Sequence, residues 1–249
     1  KDSNVAIDSN SPLDADRTLT PNVLRVEGGY RMYYSARVAD RKTDGPSSPD
    51  LPPGSFHEVI LSATSTDTLK WEFEEGVRLR HNAFVIGTPR CVYFPTKNGL
   101  LYRLYFHHWP YPLLPIPYKR TTIGTAISSD GLNFELEHGC GDCVIPQETE
   151  RESDAVSAPD VIRLGDGSYR MYYSAWTKEI AGGIFTATSI DGLDWTKKER
   201  PCLDLGASLD CNMVSEPCVT ELPDGRARLF YEARDKEGYC RILSATSPT

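Results

Sequence analysis

One arrangement of residues occurs four times along the chain: an opening X-Pro, an apolar run, a Gly-containing turn, and a second run rich in Tyr, Phe and Met. The copies read TPNVLRVEGGYRMYYSA from Thr20, TPRCVYFPTKNGLLYRLYFHH from Thr88, APDVIRLGDGSYRMYYSA from Ala158 and EPCVTELPDGRARLFYEA from Glu216, with starts 68, 70 and 58 residues apart. Repetition at such a period restricts the fold to stacked supersecondary units. Two apolar runs around a Gly-containing turn predict a hairpin. A third run follows each hairpin, at 59–65, 122–129, 183–189 and 241–247, and in three copies it leads into STDTLKW, SSDGLNF or SIDGLDW. Asp opens such a turn through its side chain, and Gly permits positive φ. The closing Trp or Phe is a packing residue. Helical periodicity is absent throughout. Short antiparallel strands in sets of four, at a period of about 60 residues, predict an all-β chain of β-propeller blades.

The 249 residues are read as a single β-propeller domain, 1–249, with four sequence-visible four-stranded blades. The fourth copy stops at Ser247-Pro248-Thr249, where its last hairpin is due. Two closures are open. The N-terminal segment, with residues 3–8 and Asn4-Val5-Ala6-Ile7 as its strand, adds the missing outer strand to the last blade. Alternatively, a longer chain supplies another blade. Composition excludes some partners. Lys and Arg number 27 against 35 Asp and Glu, a net charge of -8, which argues against a nucleic-acid or anionic membrane surface. No apolar run approaches the roughly 18 residues that span a bilayer. Cys140 and Cys143 form a CxxC without a second pair, so no metal site and no cofactor are expected. Cys202 and Cys211 would bridge only in an oxidising compartment. With no N-x-[ST] sequon, the reading leans towards a reducing, cytoplasmic one.

Strand direction sorts the candidate residues. First-strand starts, second-strand ends and third-strand starts share one end of each antiparallel unit. Strict alternation puts the residues before and after each proline on the same side: Thr20/Asn22, Thr88/Arg90, Ala158/Asp160 and Glu216/Cys218. The second strands are read as ending at Arg37, His108, Trp176 and Arg234. The connections 38–56 and 109–120 are long and proline-rich, whereas 177–182 and 235–238 are short, which predicts an asymmetric cleft. Arg37, Arg90, Arg234 and His108 around it suit an anionic ligand group, because a guanidinium holds a carboxylate or phosphate through two parallel hydrogen bonds. The alternative is that they neutralise the acidic loop 148–154 and Glu216. Trp109 and Trp176 can stack on the apolar face of a sugar. Glu216, starting an inner strand, needs water or a partner. Arginines beside it would lower its pKa and oppose an acid role.

At these residues the chain resembles the arabinanase, xylosidase, levansucrase and invertase superfamily of propeller glycosidases. The resemblance rests on Ala158-Pro159-Asp160-Val161, the YRMYYSA strands, and Ile123-Gly124-Thr125-Ala126 running into SSDGLNF. It implies a five-bladed propeller whose carboxylates (a base or nucleophile, an orienting Asp and a Glu acid) sit beside prolines at first-strand starts. Two carboxyls flanking a glycosidic bond can protonate the leaving oxygen and act on the opposite face. By that resemblance Glu216 is the general acid, and Asp160 an orienting or basic carboxylate. Thr20, Thr88 and Ala158 are not acidic, which leaves Asp14 or Asp16 as stand-in bases. Arg90, Arg37, Arg234, His108, Asn22, Trp176 and Trp109 would position substrate. The implied function is that of a glycoside hydrolase-like enzyme on a small saccharide or glycoside, including one with an anionic group. The competing reading is a propeller without hydrolytic activity that binds, or performs another reaction on, an anionic small molecule. Either way the partner is a small molecule, not nucleic acid or membrane.

Overall fold

A computed structural model describes residues 17–39, 56–81, 84–97, 99–110, 121–139, 142–145, 147, 149–179 and 182–248. The expected closing strand at 3–8, Asp14, Asp16 and most of the long connections 38–56 and 109–120 lie outside the described residues. The strands are β1 (Arg17–Val26), β2 (Gly29–Ala39), β3 (Phe56–Ser65), β4 (Glu72–Phe73), β5 (Phe84–Thr96), β6 (Gly99–Pro110), β7 (Thr122–Ser128) and β8 (Glu135–Leu136). They continue as β9 (Ala155–Arg163), β10 (Tyr169–Trp176), β11 (Ile184–Ser189), β12 (Thr196–Lys197), β13 (Met213–Glu221), β14 (Ala227–Arg234) and β15 (Cys240–Thr246). Each repeat forms one sheet in chain order: β1-β2-β3-β4, β5-β6-β7-β8, β9-β10-β11-β12 and β13-β14-β15. The last has three strands among the described residues. The chain divides into two compact units, one of residues up to 119 with 124–141, the other of 120–123 with 142 onward.

The turn after each third strand forms for a local reason. Asp67, Asp130 and Asp191 accept backbone N–H groups two and three residues on, at 2.8–2.9 Å. Ser65, Ser128 and Ser189 cap the same turns at 2.8–2.9 Å. These amides hold all three aspartates below the ordinary carboxylate range. The left-handed position is Gly131 and Gly192 in two copies, at φ 73° and 76°, and Thr68 in the other, at 65°. The closing aromatics pack as expected: Phe134 meets Tyr33 edge-on at 5.7 Å, and Trp195 is 9% exposed.

Each unit buries apolar side chains between its two sheets. In the first unit Tyr33, Ile60 and Leu79 pack against Ile86, Cys91, Leu104 and Phe106. In the second, Tyr172 and Ile184 pack against Val214, Val219, Leu229 and Tyr231. Burying each such side chain contributes about 1.5–3 kcal/mol. Two repeat-equivalent, largely buried ion pairs tie second strands to the residues that follow the outer strands. Arg31 holds Glu74 at 2.8 and 2.9 Å, and Arg103 holds Glu137 twice at 2.7 Å. In the third sheet Lys198 stands in the glutamate slot, and the buried pair is Lys197–Glu152 at 2.8 Å, with Tyr173 donating to Glu152 at 2.8 Å. The six described cysteines are unbridged.

Candidate functional site

Every first strand carries the same defect at its X-Pro. Register slips between Leu19 and Asn22, Gly87 and Arg90, Ser157 and Asp160, and Ser215 and Cys218, so one extra residue is accommodated each time. The residue before proline is left-handed in all four: Thr20, Thr88, Ala158 and Glu216 have φ between 47° and 51°. A non-glycine residue held there costs about 1–3 kcal/mol. Such bulges bend a strand and re-aim its side chains. This corrects the strict alternation assumed from the sequence. Asn22 and Asp160 are 5% and 1% exposed, whereas Glu216 is exposed.

Within each unit the bulge of one sheet is held by side chains of the sheet before it. Ser35 Oγ accepts the Thr88 N–H at 3.0 Å, and Ser174 Oγ accepts the Glu216 N–H at 3.0 Å. One turn of sequence away, Asn22 accepts the Cys91 N–H at 2.9 Å and Asp160 Oδ2 accepts the Val219 N–H at 2.5 Å. Asp160 therefore does here what Asn22 does in the first copy: it satisfies a buried backbone donor on the neighbouring inner strand.

Glu216 stands apart from its three counterparts because it is acidic. Its carboxylate has no hydrogen-bond or ion-pair partner among the described residues. Its pKa is pushed up to about 7, by burial first and by the Glu232 charge second. Water reaches the exposed side of the residue and screens part of the burial effect, but the like charge acts in the same direction. Glu232 lies opposite Ser215 in the ladder, accepts the Ser215 hydroxyl at 3.2 Å, and has Arg234 at 3.7 Å. The arginine expected to hold Glu216 ionised thus faces Glu232 instead. The sequence already places Glu232 in the slot of Ser35 and Ser174 and offers Arg234 as its partner, a pair the structure contains; its effect on Glu216 and the contact of Ser174 with the Glu216 amide are not legible there.

That alignment also moves the second-strand ends. Counting from the bulge partners, the slot of Ser35, Ser174 and Glu232 is filled by His107, opposite Gly87. The slot of Arg37, Trp176 and Arg234 is filled by Trp109, not His108. The second copy has longer strands, so counting from its turn misplaces this end by one. His108 is 1% exposed and lies between Phe84 and Phe106, with ring centroids at 5.4 and 5.7 Å. His107 meets Trp109 edge-on at 4.9 Å, and a Cβ on residue 87 would come within 2.7 Å of its Nε2, which is why glycine stands there. Burial and His108 hold the His107 pKa down to about 3, so its ring is neutral. Arg37 faces Arg17 and Glu58 across its strands, and Arg90 faces Tyr105. Asn22, Arg37, Arg90, His108 and Trp109 belong to the first unit, and Asp160, Trp176, Glu216 and Arg234 to the second. No group of three or more His, Cys, Asp or Glu side chains among the described residues is placed to hold a metal ion.

No protein-family model matches the chain. Two proteins of Mycobacterium tuberculosis, strains CDC 1551 / Oshkosh and H37Rv, both named as uncharacterized, are 35% identical to it over 150 residues, covering 58% of this chain. The match spans 47%, about half, of those relatives' own length. Among solved structures, a thermostable family-43 glycoside hydrolase superposes with a TM-score of 0.64 at 20% identity, over 92% of this chain and 74% of its own. A GH32 beta-fructofuranosidase of Bombyx mori gives 0.65 at 16% identity, over 94% and 47%. An N-acetylgalactosamine deacetylase from F. plautii gives 0.66 at 14% identity, over 92% and 72%. The four antiparallel sheets are thus those of a β-propeller, and the chain has the fold of the propeller glycoside hydrolases.

Proposed function

We propose that the chain is a glycosidase-like enzyme acting on a small saccharide or glycoside, with Glu216 as its general acid. The observation that carries this reading is a carboxyl on a strained bulge, open to solvent, unpaired among the described residues, and beside a second carboxylate. Its pKa is raised above the ordinary carboxylate range, the direction a proton donor near neutral pH needs. Glu216 would pass its proton to the leaving oxygen as the glycosidic bond breaks, while water or a nucleophile adds to the anomeric carbon. Asp160 would serve as the orienting carboxylate through the Val219 amide, which fixes β13 next to Glu216. Arg234 and Trp176, in equivalent second-strand slots of the same unit as Glu216, would position substrate. A guanidinium fork with a flat indole suits a saccharide bearing a carboxylate or phosphate.

The fold supports the glycosidase reading but hosts other chemistry as well, as the deacetylase shows for its own chain. The test is turnover of a panel of aryl glycosides, neutral and uronic, by the wild type and by Glu216→Gln. We expect turnover in the wild type, and a loss of at least about a hundredfold in the variant, the usual scale of general-acid catalysis. Unchanged turnover in Glu216→Gln removes Glu216 from the mechanism. Binding of a uronic acid without turnover by either protein selects the non-hydrolytic reading.

A further inference from the structure

The hydrogen bond from the Glu216 amide to Ser174 Oγ, at 3.0 Å, reaches a side chain with no solvent exposure. It closes on a residue whose backbone is left-handed, at φ 51°. An unsatisfied amide there would be free to relax towards the extended region that a residue before proline prefers. Relaxation would swing the Glu216 carboxyl, because a bulge sets the direction of its side chain. The first unit contains the same device without the chemistry. Ser35, 1% exposed, accepts the Thr88 amide at 3.0 Å, with Thr88 at φ 47°. The first unit thus supplies an internal control: a repeat-equivalent lock without a carboxylate, in which Ser35 Oγ also bonds the Thr20 hydroxyl at 2.9 Å.

We propose that Ser174 is a positioning residue for Glu216: by accepting its amide, the serine fixes the left-handed bulge that holds this carboxylate beside Glu232. The assignment rests on the acid role given to Glu216 above. The charged and titratable groups on the strands packed against β13 are Arg228, Tyr231, Glu232 and Arg234 on β14, Asp160 and Arg163 on β9, and Tyr169, Arg170, Tyr172 and Tyr173 on β10. Of these, Glu232 is the one that acts on Glu216. Loss of the lock should therefore separate the two carboxyls and let Glu216 ionise more easily.

The experiment needs no substrate. The Glu216 side-chain carboxyl is titrated by NMR in the wild type, Ser174→Ala, Ser174→Cys and Ser35→Ala, with Glu216→Gln to assign the signal. Amide hydrogen exchange at residue 216 is followed in the same samples. Ser174→Cys leaves no cavity and replaces the hydroxyl with a slightly larger, weaker acceptor, so the question stays answerable if the alanine variant folds poorly. We expect Ser174→Ala to strip protection from the 216 amide and to weaken the proton affinity of Glu216 about threefold, half a pH unit. Ser174→Cys should fall between. Ser35→Ala should lose at least as much stability and leave the Glu216 titration in place. A Glu216 titration unmoved by Ser174→Ala, or moved equally by Ser35→Ala, makes Ser174 a structural residue only and overturns the proposal. An unprotected 216 amide in the wild type overturns it as well. A wild-type Glu216 that titrates in the ordinary carboxylate range, with the amide still protected by Ser174, instead sinks the acid role of Glu216.

Discussion

Replacing Glu216 with glutamine should stabilise the protein, and only above a defined pH. The folded state raises the Glu216 pKa from 4.5 to about 7, so between these values the folded protein binds a proton that the unfolded chain has released. Stability must then fall as pH rises through that window. At about 1.4 kcal/mol per pH unit, the ceiling on this penalty is about 3.4 kcal/mol. Glu216 is exposed, so solvent screening reduces it, and about 1 kcal/mol is the magnitude to expect. Glutamine carries no charge at any pH and escapes the penalty.

Urea unfolding followed by tryptophan fluorescence, at intervals from about pH 4 to about pH 8, gives the comparison. The two proteins should coincide at the acid end. The variant should lead by about 1 kcal/mol at the alkaline end, or about 2–4 °C in melting temperature for a chain of this size. An ion pair between Glu216 and an arginine gives the opposite sign, with the variant losing stability as pH rises. Either that result or a difference that stays flat with pH refutes the reasoning. A residue that costs stability where the wild type would work, and is nonetheless present, is what a site selected for chemistry looks like.

Other perturbations follow from the packing. Glu137→Ala leaves Arg103, whose side chain is 8% exposed, without its bidentate partner. It should cost about 3–5 kcal/mol in urea melts, whereas Asp224→Ala, which breaks the exposed Arg226 pair, should leave the melt unchanged. Thr68→Gly, giving the first copy the residue type of Gly131 and Gly192, relieves a left-handed β-branched residue and should add about 1 kcal/mol, read as a higher melting temperature. Asp160→Asn retains the acceptor for the Val219 amide, as Asn22 does for Cys91, and should change stability by less than about 0.5 kcal/mol. Asp160→Ala strands that amide and should cost about 1–3 kcal/mol.

What was legible in the sequence was whatever is decided within a few residues. The Ser-x-Asp-Gly turns could be read because serine, aspartate and glycine each act on backbone two or three positions away, and the hairpins because their periods are short. What was not legible depended on register. A period of two holds only while the ladder is regular, and the X-Pro bulge adds a residue inside every first strand. Asp160 therefore turned into the sheet packing instead of lining up with the residue before its proline. His108 was credited with a slot that belongs to Trp109 because the second copy has longer strands on both sides of its turn. The Arg31–Glu74 and Arg103–Glu137 pairs were written in the repeats, an arginine two residues before a Tyr and a glutamate three after Trp or Phe. They join residues 43 and 34 positions apart, however, and only the third-to-outer strand turn brings those together.

The bulges also show how far backbone strain can be used to find a site. A left-handed non-glycine residue invites a functional reading, and this chain has such a residue before proline in every repeat. Three of the four are Thr20, Thr88 and Ala158, side chains with little acid–base capacity. The strain is therefore a property of the repeat, maintained where no chemistry is on offer, and it does not mark Glu216 by itself. What marks Glu216 is the combination that only the fourth copy has: an acid at the bulge, and a second acid in the slot that holds Ser35, His107 and Ser174 in the others. A scaffold that already held one left-handed residue at every strand start needed only two side-chain substitutions in one repeat to set a carboxyl pair there. The remaining copies keep the same backbone and use it for packing.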